Sequence, residues 1–415
     1  MKARPRVLFL SQCLPYPPDS GVTNRTFHIL RELQVDFDVT LVPYFRVNHQ
    51  PDRAARDAAC GALRGVATYV ADPSPIPGEQ QPSRRLWDHL RSLATGRPYT
   101  HYQYDSAAFA ERLDAALREA RPDVVHLDSL DMHRWLPRLP DVPVTCTHHD
   151  IDSELLRLRA RHLRSPLRRA YMELQAGRVE RLTRDLCPRF ALNVMMSDLD
   201  AQRLRRLAPG AVTAVIPNGT DTDALHPNGG KAAPGRVVFV GPTYSHPNRD
   251  AVEFFLQQTW PDVRAADATA SLQLVGRSAP ADRARYDAAP GVEVLGHVPD
   301  IRPAVSQARC VVVPLRIGGG TRIKILDAWA LGKAVVSTSI GCEGLDAVDG
   351  ANILIRDEPG AFARAVVDVL HDAELRARLE RNARATALEK YSWSLVGRRM
   401  RSAYADLVRR ERARA

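Results

Sequence analysis

The sequence contains no apolar run of the roughly 20 residues that a membrane-spanning helix needs. Its first apolar stretch, Val7–Leu10, follows basic residues as the core of a signal peptide would. The stretch is too short for that role, however, and proline-rich sequence follows it at once. We therefore expect a buried first strand and a protein that stays in the cytoplasm.

Cysteine is scarce: the six cysteines are scattered, with no CxxC pair and no ligand-like spacing. This pattern argues against both a disulfide framework and a zinc site. Cys146 and Cys310 lie inside apolar runs, where small core side chains are the expected role. An Asp-x-Asp metal clamp directly after a strand is also missing, because Asp150 and Asp152 have that spacing but belong to a histidine-containing loop. We predict neither a metal nor a bound cofactor.

The net charge of +10 suits three kinds of partner: nucleic acid, an anionic membrane face or a phosphate-bearing substrate. Arginine is concentrated between Arg157 and Arg189, where aromatic residues are sparse and no nucleic-acid motif is present. Nucleic acid is therefore not an expected partner. We expect a solvated helix face in this segment, with peripheral docking to the inner face of a membrane as the alternative.

Short β-branched runs alternate with longer amphipathic stretches, the pattern of βα units around parallel sheets. The alternation breaks at residues 217–235, where Pro, Asn, Gly and Asp crowd together, and then it restarts. We predict an α/β protein of two Rossmann-like domains, residues 1–217 and 218–392, whose parallel sheets face each other across a cleft. A last amphipathic helix at 393–410 is expected to pack back towards the first domain. Ligands of such sheets bind beyond the carboxyl ends of the strands.

The predicted elements fall into two series. In the first half we predict strands at 6–11, 38–43, 67–71, 124–127, 142–147, 191–196 and 212–216, helices at 23–33, 107–120 and 165–185, and a surface loop at 72–83. In the second half we predict strands at 237–240, 271–275, 292–295, 310–313, 334–337 and 353–355, and helices at 250–258, 301–307, 321–331, 359–370 and 373–389.

A glycine-rich loop gives the strongest site signal in the sequence. Three glycines, Gly318, Gly319 and Gly320, follow a predicted buried strand, and a helix is predicted to open near Thr321. Bare backbone N–H groups at the start of a helix suit a diphosphate. A flexible loop without a ligand is the structural alternative, since a glycine-rich loop alone is a weak signal.

Two cations strengthen the signal of this loop. Arg322 and Lys324 lie in the first turn of the predicted helix, where each opposes the helix dipole at a cost of about 0.3–1 kcal/mol. A bound diphosphate would offset that cost. Lys324 and Asp327 are three residues apart, so an ordinary surface ion pair on the helix is the alternative.

Three further loops follow predicted strands. The stretch Thr147–Ser153 contains the adjacent His148 and His149, for which a catalytic contact, metal binding and plain surface polarity all remain open. The proline-rich loop from Ser11 ends at Ser20 and Gly21, where either a ligand approaches the backbone or a stiff turn enters a helix. In the second domain, the residues expected to face the cleft after strands are Gly241, His246, Asn248, Gly276 and Arg277.

These motifs resemble the family 4 glycosyltransferases of the GT-B fold, especially a bacterial subgroup linked to polysaccharide and exosortase-associated gene clusters. The resemblance extends over nearly the whole chain and rests on Val237–Asn248, Val215–Asp221, Gly341–Gly344 and Tyr391–Trp393 beside the glycine-rich loop. It implies a retaining, metal-independent glycosyltransferase. Such an enzyme moves a sugar from a nucleoside diphosphate sugar to an acceptor hydroxyl of a sugar or lipid-linked sugar, in cell-surface polysaccharide or glycolipid synthesis.

The resemblance also assigns roles to residues. It puts Arg322 and Lys324 on the diphosphate, Asp327 on the ribose hydroxyls and one of the two adjacent histidines beside the reacting sugar. The loop that ends at Ser20 and Gly21 would lie by the acceptor and the diphosphate. The remaining donor-binding residues would be Gly241, Asn248, Arg277, Gly318, Gly319, Gly320, Thr321, Glu343 and Gly344.

Two departures from the family pattern keep other functions open. Many members carry two glutamates separated by seven residues, whereas this chain has Gly319 and the shorter Asp327 at those positions. A catalytically silent nucleotide-binding protein on the same scaffold is therefore the alternative. A third reading, an isomerase or sugar hydrolase, needs a catalytic set in the first domain that His148 and Asp150 alone do not make.

Overall fold

The chain forms two compact units in a computed structural model that describes residues 4–161, 163–227, 229–230, 232–318 and 322–414. One unit runs to Pro217 and also contains the chain from Val396 onward; the other comprises Asn218–Leu395. In both units parallel strands alternate with helices along the chain. None of the helices in the described part of the chain is long and apolar enough to cross a membrane.

The first unit has a parallel sheet in which the first strand lies centrally, so that its buried apolar side chains are covered on both faces. The strands are β1 (Arg6–Ser11), β2 (Asp38–Phe45), β3 (Tyr69–Val70), β4 (Ser74–Pro75), β5 (Val124–Leu127), β6 (Val144–His148), β7 (Leu192–Met195) and β8 (Thr213–Val215). Their order is β3-β2-β1-β5-β6-β7-β8, and β4 also pairs with β2. The strand ends of β1, β5 and β6 are therefore neighbours.

Helices connect these strands, several of them with a side-chain N-cap or an N-terminal proline. They are α1 (Gly21–Leu33), α2 (Arg53–Leu63), α3 (Pro77–Gln80), α4 (Pro82–Thr95), α5 (Thr100–Gln103), α6 (Ala107–Ala120), α7 (Asp152–Arg161), α8 (Pro166–Leu186) and α9 (Asp198–Leu207). Short 3₁₀ segments occupy Leu130–Arg138 and Cys187–Arg189.

The second unit repeats the architecture with a smaller sheet. Its strands are β9 (Arg236–Val240), β10 (Ser271–Val275), β11 (Val292–Gly296), β12 (Cys310–Val313), β13 (Ala334–Ser337) and β14 (Leu354–Ile355), in the order β11-β10-β9-β12-β13-β14. Its helices are α10 (His246–Phe254), α11 (Trp260–Ala266), α12 (Pro280–Asp287), α13 (Arg302–Gln307), α14 (Ile323–Ala330), α15 (Pro359–His371) and α16 (Ala373–Thr386), with π-helical turns at Phe255–Thr259 and Ala387–Tyr391. The carboxyl ends of β9, β10 and β12 meet at the middle of this sheet.

The last helix, α17 (Trp393–Arg414), contributes its residues from Val396 onward to the first unit. There the Tyr404 hydroxyl lies 2.6 Å from both His126 Nδ1 on β5 and Thr145 Oγ1 on β6. Burial lowers the pKa of His126 to about 3, so the imidazole stays neutral in this contact. Satisfied polar groups therefore fix the helix to the sheet.

One predicted loop is wrong. Residues 72–83 were expected to be irregular because of their prolines, but they contain β4 and α3 and the first residues of α4. Pro77 and Pro82 stand at the first positions of α3 and α4, where proline needs no hydrogen-bonding partner for a backbone N–H. Proline here starts helices rather than preventing them.

Candidate active site

In the second unit, the chain at the end of β9 passes close to a lysine and an asparagine at Gly241, whose φ of 153° favours glycine. A Cβ atom on Gly241 would lie 2.9 Å from Lys324 Nζ and 2.9 Å from Asn248 Nδ2. The backbone N–H of Gly241 donates to the carbonyl of Val275 at 2.7 Å, which joins the ends of β9 and β10. The glycine predicted at this strand end therefore makes room for two polar side chains.

Lys324 is held by neutral groups. Its ammonium donates to Asn248 Oδ1 at 2.7 Å and lies 4.6 Å from the centre of the Phe239 ring. The amide of Asn248 in turn donates to the Pro242 carbonyl at 3.0 Å, which fixes its orientation. Burial, with a smaller contribution from the nearby Arg322, lowers the pKa of Lys324 to about 7. The alternative of a surface ion pair between Lys324 and Asp327 is wrong.

The helix that follows the glycine-rich loop begins later than predicted. Arg322 precedes the first residue of α14, Ile323, and has non-helical dihedral angles, while Lys324 is the second residue of the helix. The Arg322 side chain is only 5% exposed; its guanidinium donates to the Gly318 carbonyl at 3.2 Å and lies 3.9 Å from the Glu343 carboxylate. We call Asn248, Arg322 and Lys324 the cationic cluster.

Two contacts hold the chain segment that leads into the glycine-rich loop. Arg316 forms an ion pair with Asp250 of α10 at 2.7 Å, which holds the chain just before Gly318. On the other side, the Thr338 hydroxyl after β13 donates to the Leu315 carbonyl. The predicted Gly319, Gly320 and Thr321 lie outside the described residues. The described part of the loop is thus attached to both neighbouring segments.

Asp327 is one turn further along α14 and accepts a hydrogen bond from the Thr220 hydroxyl at 2.7 Å. Burial raises the pKa of Asp327 to about 6, the Thr220 hydrogen bond opposes that shift, and nearby Asp221 adds to it. Thr220 is itself fixed, because its N–H donates to the Tyr391 carbonyl at 2.8 Å and its carbonyl accepts from the Trp393 N–H at 3.3 Å. Thr220 and the Tyr391–Trp393 stretch, about 170 residues apart in the sequence, therefore together position the Asp327 carboxylate.

The contact between the segment at Thr220 and the Tyr391–Trp393 stretch also depends on a glycine. A Cβ atom on Gly219 would come within 2.6 Å of the Trp393 indole and 3.0 Å of the Tyr391 carbonyl. Real Cβ atoms do not approach other atoms so closely, so glycine is required here for steric reasons. This contact explains the glycine between Asn218 and Thr220, before the first strand of the second unit.

The remaining candidates of the second unit are more exposed. Arg277 lies at the end of β10 with an exposed side chain, and His246 is exposed at the start of α10. Glu343 is about one third exposed beside Arg322, and Gly344 has a φ of 80°. Of these, the structure brings Glu343 into the neighbourhood of the cationic cluster.

The two adjacent histidines of the first unit have different surroundings. His148, the last residue of β6, is 4% exposed and donates from Nε2 to the Asn193 side-chain oxygen at 2.9 Å. Burial lowers the pKa of His148 to about 4, so the ring is neutral and belongs to the core. His149 is more exposed and donates from Nε2 to the Asp128 carbonyl at 2.8 Å. In the neutral tautomer this leaves its Nδ1 as an acceptor.

Asp128 is a residue that the sequence reasoning missed. It directly follows β5 and its carboxylate accepts from the Ser11 hydroxyl at 3.0 Å and the Thr26 hydroxyl at 2.8 Å, while His149 Nε2 lies 3.6 Å from its other oxygen. Its position after a buried strand in the middle of a parallel sheet was a usable signal. We call Ser11, Thr26, Asp128 and His149 the Asp128 cluster.

Ser20 and Gly21 mark the start of α1 at the same sheet edge. The Ser20 hydroxyl accepts from the Thr23 N–H at 3.3 Å and the Thr23 hydroxyl accepts from the Ser20 N–H at 3.1 Å, a reciprocal capping pair. Gly21 is exposed as the first helical residue. The Ser20 hydroxyl is thus used in capping, and the exposed backbone at Gly21 is the part of this loop open to a ligand.

The two clusters offer different chemistry. The cationic cluster presents positive charge beside a glycine-rich backbone, which stabilises negative charge on a phosphate or a leaving group. The Asp128 cluster presents a buried, hydrogen-bonded carboxylate and an imidazole acceptor, which suit sugar hydroxyls. Among the described residues, no group of three or more His, Cys, Asp and Glu side chains is arranged to hold a metal ion.

Comparison with known structures supports the architecture. HepE of Anabaena in complex with UDP is similar with a TM-score of 0.64 and 15% identity, covering 97% of this chain and 100% of HepE. Sucrose-phosphate synthase of Thermosynechococcus elongatus gives 0.70 and 16%, with 97% and 99% covered. A glycosyltransferase of Rickettsia africae gives 0.63 and 12%, with 98% and 99% covered. These similarities show the fold: the predicted GT-B arrangement of two Rossmann-like domains is confirmed.

Comparison with protein families covers both units. The model described as "Glycosyltransferase Family 4" matches residues 20–224, and the model described as "Glycosyl transferases group 1" matches residues 234–372. Among curated proteins no sequence matches this chain. Because the two matches together extend over more than four fifths of the residues, the chain belongs to the glycosyltransferases that combine a family 4 domain with a group 1 domain.

Proposed function

We propose that this glycosyltransferase moves a sugar from a nucleoside diphosphate sugar, bound by the second unit, to an acceptor hydroxyl with retention of the anomeric configuration. The observation that carries the proposal is the environment of the Lys324 ammonium. It is partly buried, is hydrogen-bonded to a neutral amide, and has no carboxylate within ion-pair distance among the described residues. Even a partly buried ammonium is costly without a counter-ion, and a bound diphosphate supplies one.

The donor's diphosphate would lie between the glycine-rich loop and the cationic cluster. Arg322 and Lys324 would bind its oxygens and stabilise the negative charge that develops as the bond to the sugar breaks. The Asp327 carboxylate, positioned by Thr220, would accept from the ribose hydroxyls. HepE was crystallised with UDP and with UDP-glucose, so a uridine nucleotide is the first donor to test.

The Asp128 cluster would bind the transferred sugar. His149 donates from Nε2 to the Asp128 carbonyl, so its Nδ1 would accept from a sugar hydroxyl. In the transfer, the anomeric carbon–phosphate oxygen bond breaks and the acceptor oxygen bonds to the same face of that carbon. The acceptor's proton passes to the departing phosphate oxygen, so the step needs no side-chain base or nucleophile, and Arg322 and Lys324 would stabilise the charge of the leaving diphosphate.

The acceptor would be a sugar or lipid-linked sugar of a cell-surface polysaccharide or glycolipid. This assignment follows from the sequence resemblance to polysaccharide-associated glycosyltransferases.

The test is a transfer assay with purified protein. Uridine, guanosine, adenosine and thymidine diphosphate sugars are each incubated with a panel of simple glycoside acceptors, and release of nucleoside diphosphate is measured. We expect turnover with one donor class, its loss in Arg322→Ala, and an unchanged rate in Arg381→Ala, an exposed arginine of the same unit. Nuclear magnetic resonance of the product gives the anomeric configuration, and an inverted product would contradict retention.

The alternative function, a catalytically silent nucleotide-binding protein on the same scaffold, makes a different prediction in the same experiment. It predicts that one nucleotide raises the melting temperature while no donor is consumed with any acceptor. No nucleotide binding at all would contradict both readings.

A further inference from the structure

Helix α4 of the first unit exposes large apolar side chains and buries polar ones. Its exposed side chains are large and apolar: Leu86 is 63% exposed, Trp87 58%, Leu90 48% and Leu93 47%. At 100° per residue these four positions cover about 120° of the helix circumference, so they form one face. A surface helix normally turns such a face towards the core.

The opposite face of α4 is polar and buried. Asp88 and Ser92 are both fully buried, and Arg84 pairs with Asp88 at 2.9 Å. The Ser92 hydroxyl accepts from the Gln175 side chain of α8 at 3.0 Å, and His89 Nδ1 lies 2.6 Å from the Tyr171 hydroxyl of α8. Hydrogen bonds therefore attach α4 to α8, and the apolar face is left outward.

The apolar surface continues onto α8. Leu167 is 80% exposed and Leu174 is 43% exposed, and they lie four residues before and three residues after Tyr171, which contacts α4. Residues at these spacings share one side of a helix. We call Leu86, Trp87, Leu90, Leu93, Leu167 and Leu174 the α4 face.

The chain around the α4 face is strongly basic. The segment Arg157–Arg189 contains ten arginines and three acidic residues. Two of those acids, Glu173 and Glu180, already pair with Arg157. Arginines at 164, 168 and 169, on either side of Leu167, are exposed. The surface that adjoins the apolar side chains is therefore positive.

An apolar face beside a positively charged surface favours one kind of binding partner over another. A second copy of the chain would bring an equal positive charge to the contact, which opposes association. A bilayer with anionic headgroups offers the complementary charge and an apolar layer directly beneath it, and tryptophan is favoured at that boundary. We propose that the α4 face docks this protein on an anionic membrane surface, with Trp87 and Leu90 in the acyl boundary and the arginines near 168 on the headgroups.

Tryptophan fluorescence gives a direct test, because Trp87 is the exposed one among five tryptophans. The other four, all among the described residues, are at most 3% exposed. The full chain is mixed with vesicles of phosphatidylcholine, alone or with about 30% phosphatidylglycerol. We expect a blue shift and quenching by brominated acyl chains with the anionic vesicles. Binding should weaken when salt rises from about 0.1 M, because the headgroup contacts are screened.

Variants separate the two parts of the proposal. In flotation assays, Trp87→Ser with Leu90→Ser should lower anionic-vesicle binding at least tenfold without changing the melting temperature, because both side chains are exposed. The matched control replaces Val35 and Val212 by Ser, apolar residues of the same unit that are 60% and 52% exposed. Arg168→Gln and Arg169→Gln should each lower binding roughly fivefold at low salt and flatten its salt dependence.

Three results would overturn the proposal. The first is no association with anionic vesicles, and the second is equal binding of the Trp87 and Leu90 double variant and its control. The third is concentration-dependent dimerisation that shields Trp87 from a soluble quencher, which would make a second copy the occupant. None of these readouts depends on transferase activity, so they are independent of the proposed function.

Discussion

The cationic cluster of the second unit and the Asp128 cluster of the first both lie at the carboxyl ends of central parallel strands, yet they are built in opposite ways. Lys324 is a cation with neutral neighbours and a lowered pKa. Asp128 is a buried carboxylate already surrounded by donors, including the hydroxyls of Ser11 and Thr26. Lys324 has no carboxylate at ion-pair distance among the described residues, whereas the Asp128 carboxylate already has its hydrogen-bond donors.

The difference indicates how the work is divided between the units. A site that gains stability from an added anion suits the diphosphate, the charged part of a nucleotide sugar. A carboxylate whose hydrogen-bond donors are already in place, beside an imidazole held by the Asp128 backbone carbonyl, suits neutral hydroxyls, which need directed hydrogen bonds rather than charge. We therefore expect variants of the cationic cluster to affect nucleotide binding and turnover, and loss of the His149 imidazole from the Asp128 cluster to affect turnover without changing affinity for the nucleotide.

The largest effect is expected for Arg322→Ala. Removing a donor aimed at the departing diphosphate should lower kcat/KM by about 10²–10³-fold. Steady-state kinetics with the preferred donor give this value, and Arg381→Ala serves as the exposed arginine control. A loss below threefold would mean that Arg322 does not contact the diphosphate.

The adjacent histidines should separate turnover from stability. We expect His149→Ala to lower kcat by about 10–10²-fold while nucleotide affinity and melting temperature stay near wild type. His148→Ala leaves the buried Asn193 oxygen without its donor and should destabilise the fold by about 2 kcal/mol. Kinetics and denaturant unfolding of both variants check this, and the reverse outcome would exchange the two roles.

Donor affinity should fall as the pH rises above about 7. In the free protein the pKa of Lys324 is about 7, and a bound diphosphate raises it, so binding above that pH takes up a proton. The expected fall is at most tenfold per pH unit, with a plateau between about pH 6 and 7, because protonation of Asp327 below that range would weaken the ribose contact. Calorimetry of a nucleotide sugar at several pH values measures it. In Lys324→Arg the guanidinium stays protonated, so a persisting pH dependence there would contradict the assignment.

A smaller effect is expected for Thr220→Val. The change removes the hydrogen bond that lowers the pKa of Asp327, so this carboxylate should become protonated at higher pH than before. We expect nucleoside diphosphate affinity to fall about three- to tenfold near neutral pH, and affinity for inorganic diphosphate to stay unchanged. An equal loss for both ligands would mean that Asp327 does not contact the ribose.

The local motifs were readable from the sequence and the tertiary ones were not. Gly241 follows a predicted strand, and Arg322 and Lys324 follow the glycine-rich loop within a short stretch, so the sequence indicated them and the family resemblance gave their roles. Asp128 gains its meaning from Thr26, which is about a hundred residues away along the chain. Such a contact leaves no periodic trace in the sequence.

Helix α4 shows a second limit of pattern reading. The spacing of Leu86, Leu90 and Leu93 is helical, but a period does not tell which face is buried. Here the polar residues Asp88 and Ser92 are buried against neighbouring helices, and the apolar ones are not. The start of α14 was predicted two residues before its first residue, Ile323. Arg322 takes a non-helical conformation, which its residue type does not reveal.

The most direct test of the central claim is calorimetry of nucleoside diphosphate binding to the wild type, Lys324→Ala and Arg381→Ala at about pH 6.5. We predict that the wild type and Arg381→Ala bind with equal affinity and that Lys324→Ala binds about 10–100-fold more weakly. Equal affinity of all three proteins would contradict the account, because the diphosphate would then bind elsewhere.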